Sequence, residues 1–219
     1  LQARIQALLD PRLGLTRVQQ YHYGWRGADP LPTSLPLGTP LDASVVVLDV
    51  ETGDILAMCS NPSFNDGISM STGERATRAP FVNRVIESSY PPGSLIKPLL
   101  FSAAVTDGRV GIDERIECTG HYYPEHDDRF RCWIYRDRYG FANHGPLDIG
   151  EALMRSCNIY FYDLADRIGN ERMVHWLKEF GLDQPLRVGL LHERGGRWRG
   201  ETGGNVPDRT ASLPQLGIG

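Results

Sequence analysis

The chain has 219 residues, of which 41% are apolar and 23% charged, and its formal net charge is −4. This composition is that of a globular chain of about one domain, and it excludes collagen-like, coiled-coil and disordered chains. No nucleic-acid partner is expected, because such binding needs basic clusters, and the apolar runs fall short of the ~18 residues of a membrane span. Since the chain begins at Leu1 and ends at Gly219 without a closing element, we expect a piece of a longer protein with any anchor upstream.

Hydrophobic periodicity and turn residues divide the chain into elements. A β-hairpin is predicted where two apolar runs, Ser44–Leu48 and Ile55–Cys59, flank a turn that contains Gly53. Two strands followed mainly by helices indicate an α+β fold, with further strands expected beyond Gly219. The predicted helices are Gln2–Leu9, 94–106, Leu147–Met154, Ile159–Ile168 and Glu171–Phe180, and the predicted loops are 24–42, Asn61–Arg78, 108–146 and His192–Asp208.

Ser94-Leu-Ile-Lys97 is the pattern with the clearest chemistry. Gly93 ends the preceding loop, and a helix is expected to begin at or next to Ser94. Residues three apart on a helix are neighbours, so the Ser94 hydroxyl and the Lys97 amine would share one face. A buried lysine that has lost its proton can accept the serine proton and so activate the nucleophile. Pro98 agrees with a helix that starts here, because proline is tolerated in a first turn.

Taken alone, this short pattern is more often a helix-capping serine followed by a solvated lysine. Ser156-Cys-Asn158, between two predicted helices, adds a second set of polar groups. An acyltransferase built on serine and lysine needs a second hydroxyl to relay protons and an amide to hold substrate, and Ser156 and Asn158 offer both. The simpler alternative is that Ser156 or Asn158 caps the following helix.

From about residue 40 to residue 219 the chain resembles penicillin-binding protein transpeptidase domains, because several segments occur in the order seen in that family. These segments are Val46–Met58, Ser60–Phe64, Asn83-Arg84, Tyr90–Pro98 and Ser156-Cys-Asn158. Three further segments resemble penicillin-binding protein 2, the elongation-type class B branch, more specifically. They are Phe130-Arg-Cys-Trp133, His144-Gly145 and Ala152-Leu153.

The resemblance implies an α+β fold of the serine β-lactamase and penicillin-binding-protein transpeptidase type, an antiparallel sheet with helices, incomplete at its C-terminus. Residues 1–40 would be an N-terminal helix and lead-in loop, and residues 41–219 a partial transpeptidase domain. It implies a serine-type D,D-transpeptidase that cross-links peptidoglycan stem peptides in cell-wall elongation and is acylated by β-lactams. By position, Ser94 is the nucleophile and, through its N–H, an oxyanion donor; Lys97 is its base, and Ser156 and Asn158 form the second motif.

The resemblance also implies a place on the periplasmic face of the inner membrane, an upstream anchor, and a membrane glycosyltransferase of the elongation machinery as partner. No cofactor is expected for catalysis. The family's third motif, Lys-Thr-Gly or Lys-Ser-Gly, is absent: Lys178 is the only lysine after Ser156, and Glu179-Phe180 follows it. Because Gly217-Ile-Gly219 resembles the segment before that motif, we expect truncation, with an inactive fragment of an active parent.

Two other functions remain open at this point. One is a penicillin-binding sensor that is acylated without turnover, and the other is a serine β-lactamase of the related fold. The rate of deacylation separates them, because a lactamase releases the acyl group quickly whereas a transpeptidase or a sensor holds it.

Three cysteines and one histidine form a ligand set suited to structural zinc, although their spacing is wide. They are Cys118, Cys132, His144 and Cys157. The stretch 108–146 shows little core of its own, so a metal could order it, and some elongation-type relatives are understood to carry metal near this place. A Cys118–Cys132 disulfide, buried free cysteines, and His144 as an ordinary loop residue remain open.

The remaining candidates have simpler interpretations. Cys59 ends an apolar strand and is expected in the core, and His175-Trp176 is expected to pack on an amphipathic helix. Arg194–Arg199 could contact an anionic substrate, but a solvated loop is favoured. Spare metal ligands, or solvated loop residues, are His121, His126, Asp127 and Asp128.

Overall fold

The computed structural model describes residues 1–19, 35–125 and 129–196, and it divides into two compact units. The hairpin unit consists of Leu1–Ser89 with Arg187–Arg194. Among the described residues, the helical unit consists of Tyr90–Leu186 with Gly195 and Gly196. Helices and two small antiparallel sheets make the fold α+β, as predicted. Among the described helices, none has the length and apolar character needed to cross a bilayer.

The hairpin unit is built on the predicted pair of strands. β1 (Ala43–Leu48) pairs antiparallel with β2 (Ile55–Asn61), and the register shifts at Val47/Leu48. The carboxylate of Asp49 accepts from the N–H groups of Glu51 and Thr52 and so fixes the turn. Helix α1 (Gln2–Leu8) contacts β2, and the Gln2 amide bonds both the N–H and the carbonyl of Met58. The Gln2 side chain therefore makes two of the backbone hydrogen bonds that a neighbouring strand would make at this edge of β2.

The predicted loop at Asn61–Arg78 is wrong, because the structure has two short helices there. They are α2 (Phe64–Ser69) and α3 (Thr72–Arg78). Each begins with a capping box, in which Ser63 pairs with Asp66 and Ser71 pairs with Glu74. The serine-x-x-acid signal was present in the sequence, but helices this short lack the apolar periodicity that a longer helix shows.

Helix α4 (Arg84–Glu87) explains the Asn83-Arg84 pair. Asn83 caps the helix through the Val85 N–H, and Arg84 is buried, with its guanidinium 2.7 Å from the Asp42 carboxylate. A buried arginine requires such a partner. This pair therefore has a structural role in the hairpin unit.

The helical unit contains the main apolar core. A 3₁₀ turn (Gly93–Ile96) leads into α5 (Lys97–Thr106), which packs against α7 (Asn158–Ile168). The other elements are β3 (Ile116–Cys118), β4 (Gly145–Leu147), α6 (Ile149–Met154) and α8 (Asn170–Glu179). The predicted helix at Leu147–Met154 starts later than expected, because Leu147 belongs to β4 and Asp148 caps α6.

The stretch 108–146 is largely irregular, as predicted, but it is anchored at several points. β3 pairs with β4, and the Cys132 N–H donates to the Gly120 carbonyl at 2.7 Å. Gly120 has φ +98°, and a side chain there would collide with the Tyr135 ring. Glycine is thus required where the segment around residue 132 lies against residue 120.

Candidate active site

The backbone around Ser94 exposes the hydroxyl while it buries the lysine. Ser94 lies in the 3₁₀ turn and is exposed, whereas Lys97, the first residue of α5, is only 1% exposed. The Lys97 N–H donates to the Ser94 carbonyl, so that carbonyl is satisfied although Pro98 has no N–H to offer. The solvated lysine of the simpler interpretation is therefore wrong.

Lys97 and the second motif form one hydrogen-bonded cluster, which we call the serine–lysine cluster (Ser94, Lys97, Ser156 and Asn158). Lys97 Nζ donates to the Ser156 carbonyl at 2.9 Å, to Ser156 Oγ at 3.0 Å and to Asn158 Oδ1 at 2.9 Å. Ser156 Oγ in turn lies 3.0 Å from Ser94 Oγ. Lys97 thus reaches Ser94 through the Ser156 hydroxyl.

Burial changes the acidity of Lys97. Its pKa is lowered to about 8, mainly because burial disfavours the ammonium form, while negative charge at Cys157 and Cys132 opposes the shift. The Phe161 ring lies 5.3 Å from Nζ and favours the charged form in a similar way. Near neutral pH a fraction of the amine is free to accept a proton.

Ser156 has a backbone conformation that few residues adopt. Its φ is +49°, in the left-handed region, where a non-glycine residue is held only by its surroundings. The following helix α7 has Cys157 at its N-cap and no side-chain cap bond, so the capping alternative for Ser156 and Asn158 is wrong. Instead, Ser156 and Asn158 both contact Lys97.

The predicted metal ligands also converge. We call Cys118, Cys132, His144 and Cys157 the cysteine–histidine cluster, and their ligand atoms all lie within 4.8 Å of one another. His144 Nδ1 is 3.4 Å from Cys132 Sγ and 3.7 Å from Cys118 Sγ, and Cys132 Sγ is 3.9 Å from Cys157 Sγ. Sulfur at about 2.3 Å and nitrogen at about 2.0 Å from one zinc ion give tetrahedral separations of about 3.5–3.8 Å. These three separations lie near the values for one zinc ion, and the remaining ligand atoms lie within 4.8 Å of one another.

The three sulfur atoms of the cluster affect one another's pKa values. Hydrogen bonds from Cys118 and Cys157 lower the pKa of Cys132. The bond to Cys132, with burial, raises the pKa of Cys118 although the bond with Cys157 lowers it, and the bonds to both neighbouring sulfurs, with burial, raise the pKa of Cys157. One thiolate is thus stabilised at the expense of the other two. All four cysteines of the chain are free thiols in the structure.

The other sequence candidates lie apart from these clusters. Cys59 is a buried residue of β2, and Trp176 packs on α8, where its indole N–H donates to Asp107. His121 is described but is not among the converging ligands. Outside the described residues lie His126, Asp127, Asp128 and the Arg197–Arg199 end of the arginine-rich loop.

Two contacts to the second motif and the residue before it were not predicted as functional. Asn158 Nδ2 donates to the Arg131 carbonyl at 3.2 Å, and Trp133 Nε1 donates to the Arg155 carbonyl at 2.8 Å. Phe130-Arg-Cys-Trp133 stood out in the sequence only through its resemblance to relatives. Its contacts depend on a fold that brings residues 131–133 against residues 155–158.

The comparison with protein families agrees with this geometry. The model of the penicillin-binding protein transpeptidase domain matches residues 43–218. The chain belongs to this family. It is 32% identical over 178 residues to the peptidoglycan D,D-transpeptidase MrdA of Haemophilus influenzae, covering 77% of this chain and 25% of that protein. The chain thus spans about a quarter of the length of this curated relative.

Solved penicillin-binding proteins have a similar fold. The crystal structure of Pseudomonas aeruginosa PBP2 in complex with WCK 5153 gives a TM-score of 0.65 at 30% identity, covering 81% of this chain and 42% of that one. The imipenem acyl-enzyme complex of penicillin-binding protein A from M. tuberculosis gives a TM-score of 0.60 at 29% identity, covering 83% and 42%. The predicted transpeptidase-type α+β fold is confirmed.

Proposed function

We propose that the protein to which this chain belongs is a serine-type peptidoglycan D,D-transpeptidase that acts through an acyl-enzyme on Ser94 and is acylated by β-lactams. The observation that carries the proposal is the chain of contacts from buried Lys97 through Ser156 Oγ to exposed Ser94 Oγ. Family membership and the acyl-enzyme structure of a relative support it.

The contacts define a path for the serine proton. When Lys97 is neutral, its lone pair accepts the Ser156 hydroxyl proton while Ser156 Oγ accepts the proton of Ser94. Ser94 Oγ can then attack the carbonyl carbon of a stem peptide, and the tetrahedral oxyanion is stabilised by the Ser94 N–H. Lys97 ends this step as an ammonium whose three donors face Ser156 and Asn158 oxygens.

The reverse path completes the transfer. The Lys97 ammonium returns a proton through Ser156 to the departing amine of the first stem peptide, which leaves its acyl group on Ser94. An amine of a second stem peptide then attacks the acyl-enzyme, and the same relay accepts the proton that this amine loses. The product is a peptide cross-link, and Ser94 regains its hydroxyl.

Mass spectrometry of the intact protein after treatment with penicillin tests the nucleophile. We expect one adduct on a peptide that contains Ser94, stable over the experiment, and none in Ser94→Ala. Ser102→Ala, which changes an exposed serine of α5, is the matched control and should be acylated normally. An adduct that persists in Ser94→Ala would disprove the assignment. Rapid release of the acyl group would favour a lactamase instead.

The wider setting is also part of the proposal. The similarity to MrdA and PBP2 relatives supports a role in cell-wall elongation. Such a role places the protein on the periplasmic face of the inner membrane, held by an upstream anchor, with a membrane glycosyltransferase as partner. Depletion of the protein in its native cells should then alter cell shape, and rod-shaped cells should become round.

We further propose that the cysteine–histidine cluster holds a structural zinc ion. Thiolate and imidazole are ligands that zinc prefers, and a dication would let all three sulfurs be thiolates at once. Four protein ligands leave no position for a reactive water, so the ion would order residues 118–157 rather than take part in acyl transfer. Cys157 would thereby fix its chain neighbours Ser156 and Asn158.

A further inference from the structure

Residues 131–133 contact residues 155–158, which include the second motif, at three points. The Arg131 carbonyl accepts from Asn158 Nδ2, Cys132 Sγ lies 3.9 Å from Cys157 Sγ, and Trp133 Nε1 donates to the Arg155 carbonyl. Consecutive residues of one segment thus bind residues 158, 157 and 155.

The contact to Arg155 acts on the most unusual backbone torsion in the site. Arg155 is the C-cap of α6, and its carbonyl belongs to the peptide that joins it to Ser156. The direction of that peptide, with φ +49° at Ser156, sets where Ser156 Oγ lies between Lys97 and Ser94. A left-handed serine costs on the order of 1 kcal/mol or more. The N–H of the same peptide donates to the Leu153 carbonyl at 3.0 Å, and the Trp133 indole binds its carbonyl.

We propose that Trp133 is a positioning residue for acylation: its indole N–H holds the Arg155–Ser156 peptide so that Ser156 Oγ bridges Lys97 and Ser94. The indole ring is itself fixed, because it lies 5.7 Å edge-on to Tyr139 and 6.1 Å from the His144 ring. The ring remains 42% exposed, and its contact with His144 links it to the cysteine–histidine cluster. The inference rests on the proposed function, since it concerns the acylation of Ser94.

The test removes the indole N–H and keeps an aromatic ring. Trp133→Phe in the intact protein should lower the acylation rate constant with a fluorescent penicillin by about tenfold, because small misplacements of reacting groups cost that much or more. The dissociation constant of the initial complex should stay unchanged. If Trp133→Phe does not fold, β-(3-benzothienyl)alanine at position 133 can be used instead, because it replaces the N–H by sulfur within the same ring shape. We expect the same loss of rate from this variant.

Trp176→Phe is the matched control. It removes an indole N–H that bonds Asp107 at 3.0 Å in the same unit but away from the second motif, so acylation should not change. The zinc content of the position-133 variants must equal that of the parent, which separates the effect from damage to His144. A crystal structure of the variant should show Ser156 Oγ out of hydrogen-bond distance of Lys97 or Ser94.

The outcomes are distinguishable. If the parent protein is not acylated at Ser94, the proposed function fails. The position of Ser156 Oγ in the crystal structure of the variant then decides whether Trp133 positions it. If the parent is acylated and the position-133 variants react equally fast with Ser156 in place, the inference is wrong. A loss that Trp176→Phe shares would also overturn it, because the effect would then be one of general stability.

Discussion

Two polar clusters meet at residues 156–158, and they differ in how far the protein alone satisfies them. In the serine–lysine cluster each of the three donors of Lys97 has an oxygen acceptor, and Asn158 uses both ends of its amide. In the cysteine–histidine cluster three sulfurs and one ring nitrogen face one another, and they are weak hydrogen-bonding partners.

This difference indicates what each cluster needs. Complementary donors and acceptors let Lys97 stay buried without any added group, and a modest shift in its pKa is enough for proton transfer. The thiols and imidazole of the other cluster are weak hydrogen-bonding partners, and the zinc ion proposed above would supply the bonds that hold them in a fixed arrangement. Ser156 and Asn158 belong to the serine–lysine cluster and Cys157 belongs to the cysteine–histidine cluster. Three consecutive residues therefore connect the two clusters.

Removal of Lys97 is expected to have the largest effect. Lys97→Met keeps the length and apolar contacts of the side chain but removes the base, so acylation of Ser94 should fall by about 10²–10⁴-fold. Stopped-flow measurement with a fluorescent penicillin gives the rate. Lys178→Ala, at an exposed lysine of α8, is the control and should react normally. A loss of only a few-fold in a folded Lys97→Met protein would make Lys97 a structural residue.

Loss of the proposed zinc ion should have the next largest effect. Elemental analysis should find about one zinc per chain, and a chelator should slow acylation by roughly tenfold to a hundredfold, because the second motif loosens. Cys157→Ser should lose the metal and behave like the chelated protein.

The matched control for the metal is Cys59→Ser, which changes the cysteine outside the cluster. It should retain both zinc and the full acylation rate. Less than a tenth of one zinc per chain in protein purified without chelator, or a Cys118–Cys132 disulfide in the peptide map, would contradict the metal site.

The smallest effect expected is that of pH on the serine–lysine cluster. Lys97 must be neutral to act as a base, and its pKa is about 8. The acylation rate should therefore rise with pH, and it should be roughly tenfold lower at about pH 7 than at about pH 9. A β-lactam that does not titrate in this range is the proper probe. A rate that is flat across the range would show that Lys97 is already neutral or is not the base.

Much of the fold could be predicted from the sequence. Helices α7 and α8 carry apolar patterns of helical period, the two hairpin strands are short apolar runs, and α5 is apolar on most of its faces; all were predicted within a few residues. Helices α2 and α3 were missed because capping, rather than apolar periodicity, defines them. The site residues Ser94, Lys97, Ser156 and Asn158 were predicted from motif order, while their catalytic roles stay predictions.

The sequence by itself determined which residue types were available: a serine and a lysine three apart, a second serine with an asparagine, and three cysteines with a histidine. It could not determine that Lys97 reaches Ser94 through Ser156, or that Trp133 binds Arg155. Those contacts join residues 22 to 62 positions apart. Only the tertiary structure decides them, because packing of α5 against α7 and the left-handed backbone at Ser156 set the directions in which these side chains point.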